Sequence, residues 1–82
     1  MNPPDFERIR EILAGLLDVP RVDITLETSP DTVETWDSLK HLDLVLALEQ
    51  ELAVRFTPQE IAEMRSVERI ATIVARKRLP PG

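Results

Sequence analysis

The chain has no cysteine, one histidine and three other aromatic residues, two Phe and one Trp. Without cysteine, disulfides, thiolate zinc sites and cysteine nucleophiles are excluded. A single histidine removes most imidazole-based metal sites and proton relays. With so few aromatics, the core has to be built mainly from Leu, Ile and Val. Long apolar runs are missing as well. The longest, residues 44–48, falls far short of the roughly 20 residues needed to cross a bilayer. An excess of positive charge is also missing. Fifteen acids stand against ten bases, a formal charge of −5, which argues against nucleic acid as a partner. The opening Met-Asn-Pro-Pro has no basic start and no apolar stretch of the signal-peptide kind, so the expected location is cytoplasmic.

The length of 82 residues sets a further bound. It predicts a single domain over residues 1–82, with its core at about 5–78 and a tail at 79–82. A chain this short buries roughly 60% of its unfolded surface, which leaves no room for a cleft between two domains. The negative charge is concentrated in the middle of the chain. Residues 27–63 hold nine acids and two bases, Lys40 and Arg55, a net of −7, whereas the two flanks together carry +2. An acidic middle points to basic protein partners.

Three segments show helical spacing. In Phe6–Leu17, apolar residues at 6, 9, 12, 13, 16 and 17 form one stripe. Asn2 is the expected N-cap, with Pro3 and Pro4 in the first turn. A second helix runs from Ser38 to residue 51 or 52. Its core stripe is Leu44, Val45, Leu48 and Leu52, and a second stripe, Leu39, Leu42 and Leu46, lies at a different angle. So small a bundle cannot easily bury a helix all round, so the second stripe is expected to serve a partner. Thr57-Pro58-Gln59-Glu60 is a capping box with Pro at the first helical position, and it opens a short helix to about Met64. Ser66 caps the last helix, Val67–Arg78, whose core positions are Val67, Ile70, Ile73 and Val74.

Residues 18–36 are different. Val22, Ile24 and Leu26 alternate as in a strand, but no partner strand is visible, and prolines and threonines break the segment. The reading is a long loop pegged to the core by Val19, Val22, Ile24, Leu26 and Val33. Such a length needs a task, here bridging the far ends of two helices that run in the same direction. The expected fold is therefore all-α: a four-helix bundle of three main helices and a short third one, with a long first loop.

Ser38 is the residue with chemical interest. Its plain reading is the N-cap of the second helix. As a nucleophile it lacks support: His41 is three residues on, but no third group and no G-x-S-x-G elbow accompany it. As a site of covalent modification it would hold a phosphodiester at a helix N-terminus, where free N–H groups and the dipole favour negative charge. Asp37 beside it would repel that phosphate, which gives Asp37 another task, such as meeting a basic residue or metal of a modifying enzyme. On that reading Asp37→Ala slows modification and barely affects folding. Asp31, Glu34 and Asp37 recur every third residue without any calcium-loop pattern, so no metal site is expected in this chain.

Thr35-Trp36-Asp37-Ser38-Leu39, followed by Leu42, Leu46 and Glu49, closely resembles the acyl carrier protein family over residues 5–78. The D-S-L sequence opening an acidic, Leu-rich helix after a helix and a long loop carries the likeness. The resemblance implies a carrier rather than an enzyme. It places 4′-phosphopantetheine covalently on Ser38, with Asp37 as the acid before it and the cargo as a thioester on the distal thiol. It implies docking on Leu39, Leu42 and Leu46 with Asp43 and Glu49 as an acidic rim, and Trp36 beside them. The partners implied are a phosphopantetheinyl transferase and acyl-loading and acyl-processing enzymes (ligase, acyltransferase, ketosynthase), and the expected state is a monomer. Trp36 stands where many fatty-acid carriers have a small residue, and Lys40 where they have an acid. The W-D-S-L form looks more like discrete carriers of specialised, polyketide-like pathways. Trp36 also has a structural reading, packing the loop onto the core. A peptidyl or aminoacyl carrier and an unmodified helical interaction domain are the alternatives.

Overall fold

The α1 helix, Phe6–Leu17, buries Phe6, Ile9, Leu13 and Leu17, with Ile12 and Leu16 half-buried at the edges of the stripe. It is seen in a computed structural model that describes residues 5–78. The expected cap at Asn2 with Pro3 and Pro4, and the stop at residues 79–82, lie outside the described residues. Asp5 flanks the start of α1 without a side-chain cap bond. The helix ends at Asp18 in the left-handed conformation (φ 57°), whose N–H donates to the Ala14 carbonyl. Asp tolerates that conformation better than most residues.

Three further helices follow: α2 Ser38–Leu52, α3 Pro58–Glu63 and α4 Val67–Arg78. No strand occurs among the described residues. One core cluster unites Phe6, Trp36 and Phe56 with the aliphatic residues of α1, α2 and α4, including all four expected α4 positions and Ala71. On α3 the capping box is complete. Thr57 Oγ1 accepts from Glu60 N at 3.1 Å, and Glu60 Oε1 accepts from Thr57 N at 2.9 Å. Ser66 Oγ accepts from Arg69 N at 3.2 Å and so caps α4.

Contacts at the helix ends define the topology. Arg8 near the start of α1 pairs with Glu51 near the end of α2 at 2.9 Å. At the other end Thr35 Oγ1 donates to the Leu17 carbonyl at 2.9 Å. These two contacts make α1 and α2 antiparallel. Arg78 at the end of α4 meets Asp5 at 3.2 Å and donates to the Leu52 carbonyl at 2.7 Å, so α4 runs parallel to α2.

The expected task of the long loop is therefore corrected. It does not bridge parallel helices, because it leaves α1 and returns to the same end of the bundle. Its length goes into covering that end. Ile24 and Thr28 are buried, Val19, Leu26 and Val33 half-buried. The Thr28 and Leu26 carbonyls accept from Val67 N and Glu68 N at 2.9 Å each, satisfying donors that the start of α4 cannot satisfy itself. Hydroxyl groups fold the loop on itself: Thr28 Oγ1 accepts from Thr25 N, and Thr32 Oγ1 from Ser29 N. Val22 is a second correction. It is 77% exposed, because residues 21–23 form a 3₁₀ turn that rotates it away from the core and breaks the period of two.

Candidate functional site

The first turn of α2 builds the site. Asp37 is its N-cap: the backbone there is extended, and Oδ1 accepts from Lys40 N at 2.9 Å. This corrects the reading of Ser38 as the cap. Ser38 is the first helical residue, is exposed, and its hydroxyl enters no hydrogen bond among the described residues. The expectation that Asp37→Ala leaves folding nearly untouched is corrected with it, since an N-cap acid contributes about 0.5–2 kcal/mol. His41 N donates to the Asp37 carbonyl at 2.9 Å. The N–H groups of Ser38 and Leu39 therefore remain to face an anion carried on the serine oxygen.

Trp36 and His41 lie on either side of this turn. Trp36 is 3% exposed and packs the loop onto the core. Its indole N–H donates to His41 Nδ1 at 3.1 Å, and the rings stack with centroids 6.1 Å apart and planes inclined by 24°. An indole nitrogen can only donate, so Nδ1 is the acceptor and Nε2 carries the proton. That Nε2–H donates to the Ile61 carbonyl of α3 at 3.0 Å. Both imidazole nitrogens are thus occupied, and neither serves as a base toward Ser38, which removes the hydrolase reading. His41 is half-buried, and the sequence reading, which weighed it only as a base for Ser38, gave it no structural task. With Asp37 as N-cap, Trp36 and His41 occupy the N′ and N4 positions of a staple, the signal that would have paired them.

A cleft of about 670 Å³ opens beside Ser38 between the loop, α2 and α3, with Trp36, His41, Leu42, Ile61 and Met64 in its walls. Arg65 and the carboxylates of Asp31 and Asp37 stand at the same cleft. Along the outside of α2, Leu39, Leu42 and Leu46 are 73%, 56% and 58% exposed. Asp43 is exposed next to them, whereas Glu49 is half-buried, and its Oε2 accepts from Phe56 N at 3.0 Å. The Glu49 carboxylate is thereby committed to holding the turn after α2. Among the described residues no group of three or more His, Cys, Asp or Glu side chains is placed to hold a metal ion, and no helix is long and apolar enough to cross a membrane.

A helical bundle that presents an unencumbered serine at the start of an acidic helix defines a carrier of a covalent prosthetic group. Comparison with known proteins agrees. Residues 7–74 match the family model described as the phosphopantetheine attachment site. An acyl carrier protein of Petrotoga mobilis is 31% identical over 72 residues, covering 88% of this chain and 85% of the relative. Acyl carrier protein 3 of Ralstonia nicotianae is 33% identical over 73 residues, covering 89% and 84%. Among solved structures, the solution structure of holo acyl carrier protein from Geobacter metallireducens superposes with a TM-score of 0.81 at 28% identity, covering 90% of this chain and 85% of that one. The chain belongs to the acyl carrier protein family, whose members hold covalently bound phosphopantetheine, and it is a carrier rather than a catalyst. Such carriers work with a phosphopantetheinyl transferase and with biosynthetic enzymes.

Proposed function

We propose that Ser38 carries the phosphopantetheine as a phosphodiester, and that the chain presents acyl or related carboxylate intermediates as thioesters to enzymes of a specialised, polyketide-like pathway. The single observation that carries the site is the exposed Ser38 hydroxyl, which Asp37 frees by taking over the capping role. The prosthetic group supplies a thiol to a chain that has no cysteine. The chain's own residues hold and orient it. The Ser38 and Leu39 N–H groups and the positive end of α2 stabilise the phosphodiester, and Asp37 fixes that end of the helix. Tethering raises the effective concentration of cargo at each docked enzyme.

The partner surface in this reading is the Leu39, Leu42 and Leu46 stripe, with Asp43 beside it and the acidic middle of the chain steering basic partners. The assignment to a specialised pathway rests on Trp36, which stands where many fatty-acid carriers have a small residue, and on Lys40, which makes α2 less acidic than in a housekeeping fatty-acid carrier. The reading also takes the carrier to be a monomeric single domain. Intact-mass measurement after incubation with a phosphopantetheinyl transferase, coenzyme A and magnesium tests the site. One added phosphopantetheinyl unit on the parent and none on Ser38→Ala is the expected result. No gain on either protein, with a known carrier modified in the same tube, overturns it in favour of an interaction domain. Loading of the modified chain by an acyltransferase rather than by an amino-acid-activating ligase separates acyl from aminoacyl cargo.

A further inference from the structure

The α3 helix has only six residues, none of them fully buried, and is too short to be stable by itself. Buried residues flank it, Phe56 before and Met64 after, so its ends are pinned to the core. Its middle is held by Ile61, half-buried against the core, and by two polar links. Glu60 meets Lys77 of α4 at 2.9 Å, and the Ile61 carbonyl receives the His41 Nε2–H. The second link continues through the imidazole to the Trp36 indole, which is locked in the core. The relay Trp36–His41–Ile61 therefore ties the loop, α2 and α3 together at one point. All three residues line the cleft that opens beside Ser38.

We propose that His41 is a positioning residue: its two hydrogen bonds latch α3 against the start of α2 and set the width of the cleft next to the Ser38 hydroxyl. The imidazole suits this task because one neutral ring accepts from the indole and donates to the carbonyl at once, across a span that no shorter polar side chain covers with both bonds. Releasing the latch frees the α3 wall while Trp36 stays seated by its packing. A group tethered to Ser38 starts at the mouth of this cleft, so the latch governs what lies there. That consequence rests on the attachment reading. The latch itself is tested on the unmodified chain, so the two ideas fail separately.

Three substitutions divide the relay, read by amide hydrogen exchange along residues 61–64 and by the indole N–H resonance of Trp36. His41→Ala is expected to raise exchange of the α3 amides by about tenfold, the factor of one net hydrogen bond, and to leave the amides of α1 and α4 unchanged. His41→Gln places an amide donor near the Nε2 position. It is expected to keep most of the α3 protection while the indole resonance moves. His41→Asn places an acceptor near Nδ1 and is expected to do the reverse. Unchanged α3 exchange in His41→Ala overturns the latch. So does a loss of protection spread evenly over α1, α3 and α4, which would make His41 a contributor to global stability only.

Discussion

Replacing Asp37 separates two tasks that one side chain performs. Its Oδ1 accepts from Lys40 N at 2.9 Å, a short, charge-assisted cap on the first turn of α2. Alanine removes the acceptor and leaves that N–H to water, because the turn is exposed at its surface. The loss expected for an exposed cap is about 1 kcal/mol. In a domain of this size each kcal/mol lowers Tm by roughly 4–8 °C. Asparagine caps as well as aspartate but carries no charge, so Asp37→Asn is expected to lose no more than about 0.5 kcal/mol, chiefly the favourable interaction with the helix dipole. Thermal denaturation followed by circular dichroism gives both shifts. Loading by the transferase, measured well below either Tm, then reads the charge alone. If the carboxylate also meets a basic group of the transferase, both variants load slowly despite their unequal stabilities. Equal destabilisation by Ala and Asn would refute the cap assignment. Parental loading rates in both would refute the contact with the transferase.

Leu46→Asp is expected to leave stability within about 0.5 kcal/mol, because the side chain is already mostly in water, and to lower the kcat/KM of transferase loading by about tenfold or more. An unfolded variant would instead make Leu46 part of the core. Ala53 ends α2 in the left-handed conformation at φ 54°, where a Cβ is strained, so Ala53→Gly is expected to gain about 1 kcal/mol in denaturant unfolding. The Lys77 ammonium, followed by the backbone N–H of Thr57, holds the Glu60 carboxyl below the usual glutamate range. Its contribution is complete above the ordinary value of about 4.3 and is lost as pH falls through the lower folded value. Acid should therefore loosen α3 ahead of the core, and Glu60→Gln should remove that part of the pH dependence of α3 amide exchange.

Much of the molecule is written in local pattern. The stripes of α1, α2 and α4 have helical spacing, and residues such as Ile9, Leu48 and Ile70 had no alternative to burial once the helices formed. The Thr57 box needs only neighbours three residues apart, and the D-S-L start of α2 is equally local. These features depend on the chain's own periodicity and capping chemistry, so one sequence suffices to find them. Ser38 belongs to this group as a candidate, because a serine opening an acidic helix after a long loop is visible without coordinates.

Other features were decided only when distant segments met. Asp37 and Ser38 compete for the cap position, and the choice depends on which backbone turns extended before the helix begins. The direction of α2 relative to α1 rests on Arg8 meeting Glu51 and Thr35 meeting Leu17, contacts 43 and 18 residues apart in the chain. The loop carbonyls that complete the start of α4 and the turn that expels Val22 follow from that arrangement. His41 shows the division most clearly. Its place at the fourth position of α2 is local, but which nitrogen carries the proton, and what each one holds, is set by an indole from the loop and a carbonyl from α3. Hydrogen bonding across the fold, unlike hydrophobic periodicity, has no period to read in the chain, so only the tertiary structure could assign it.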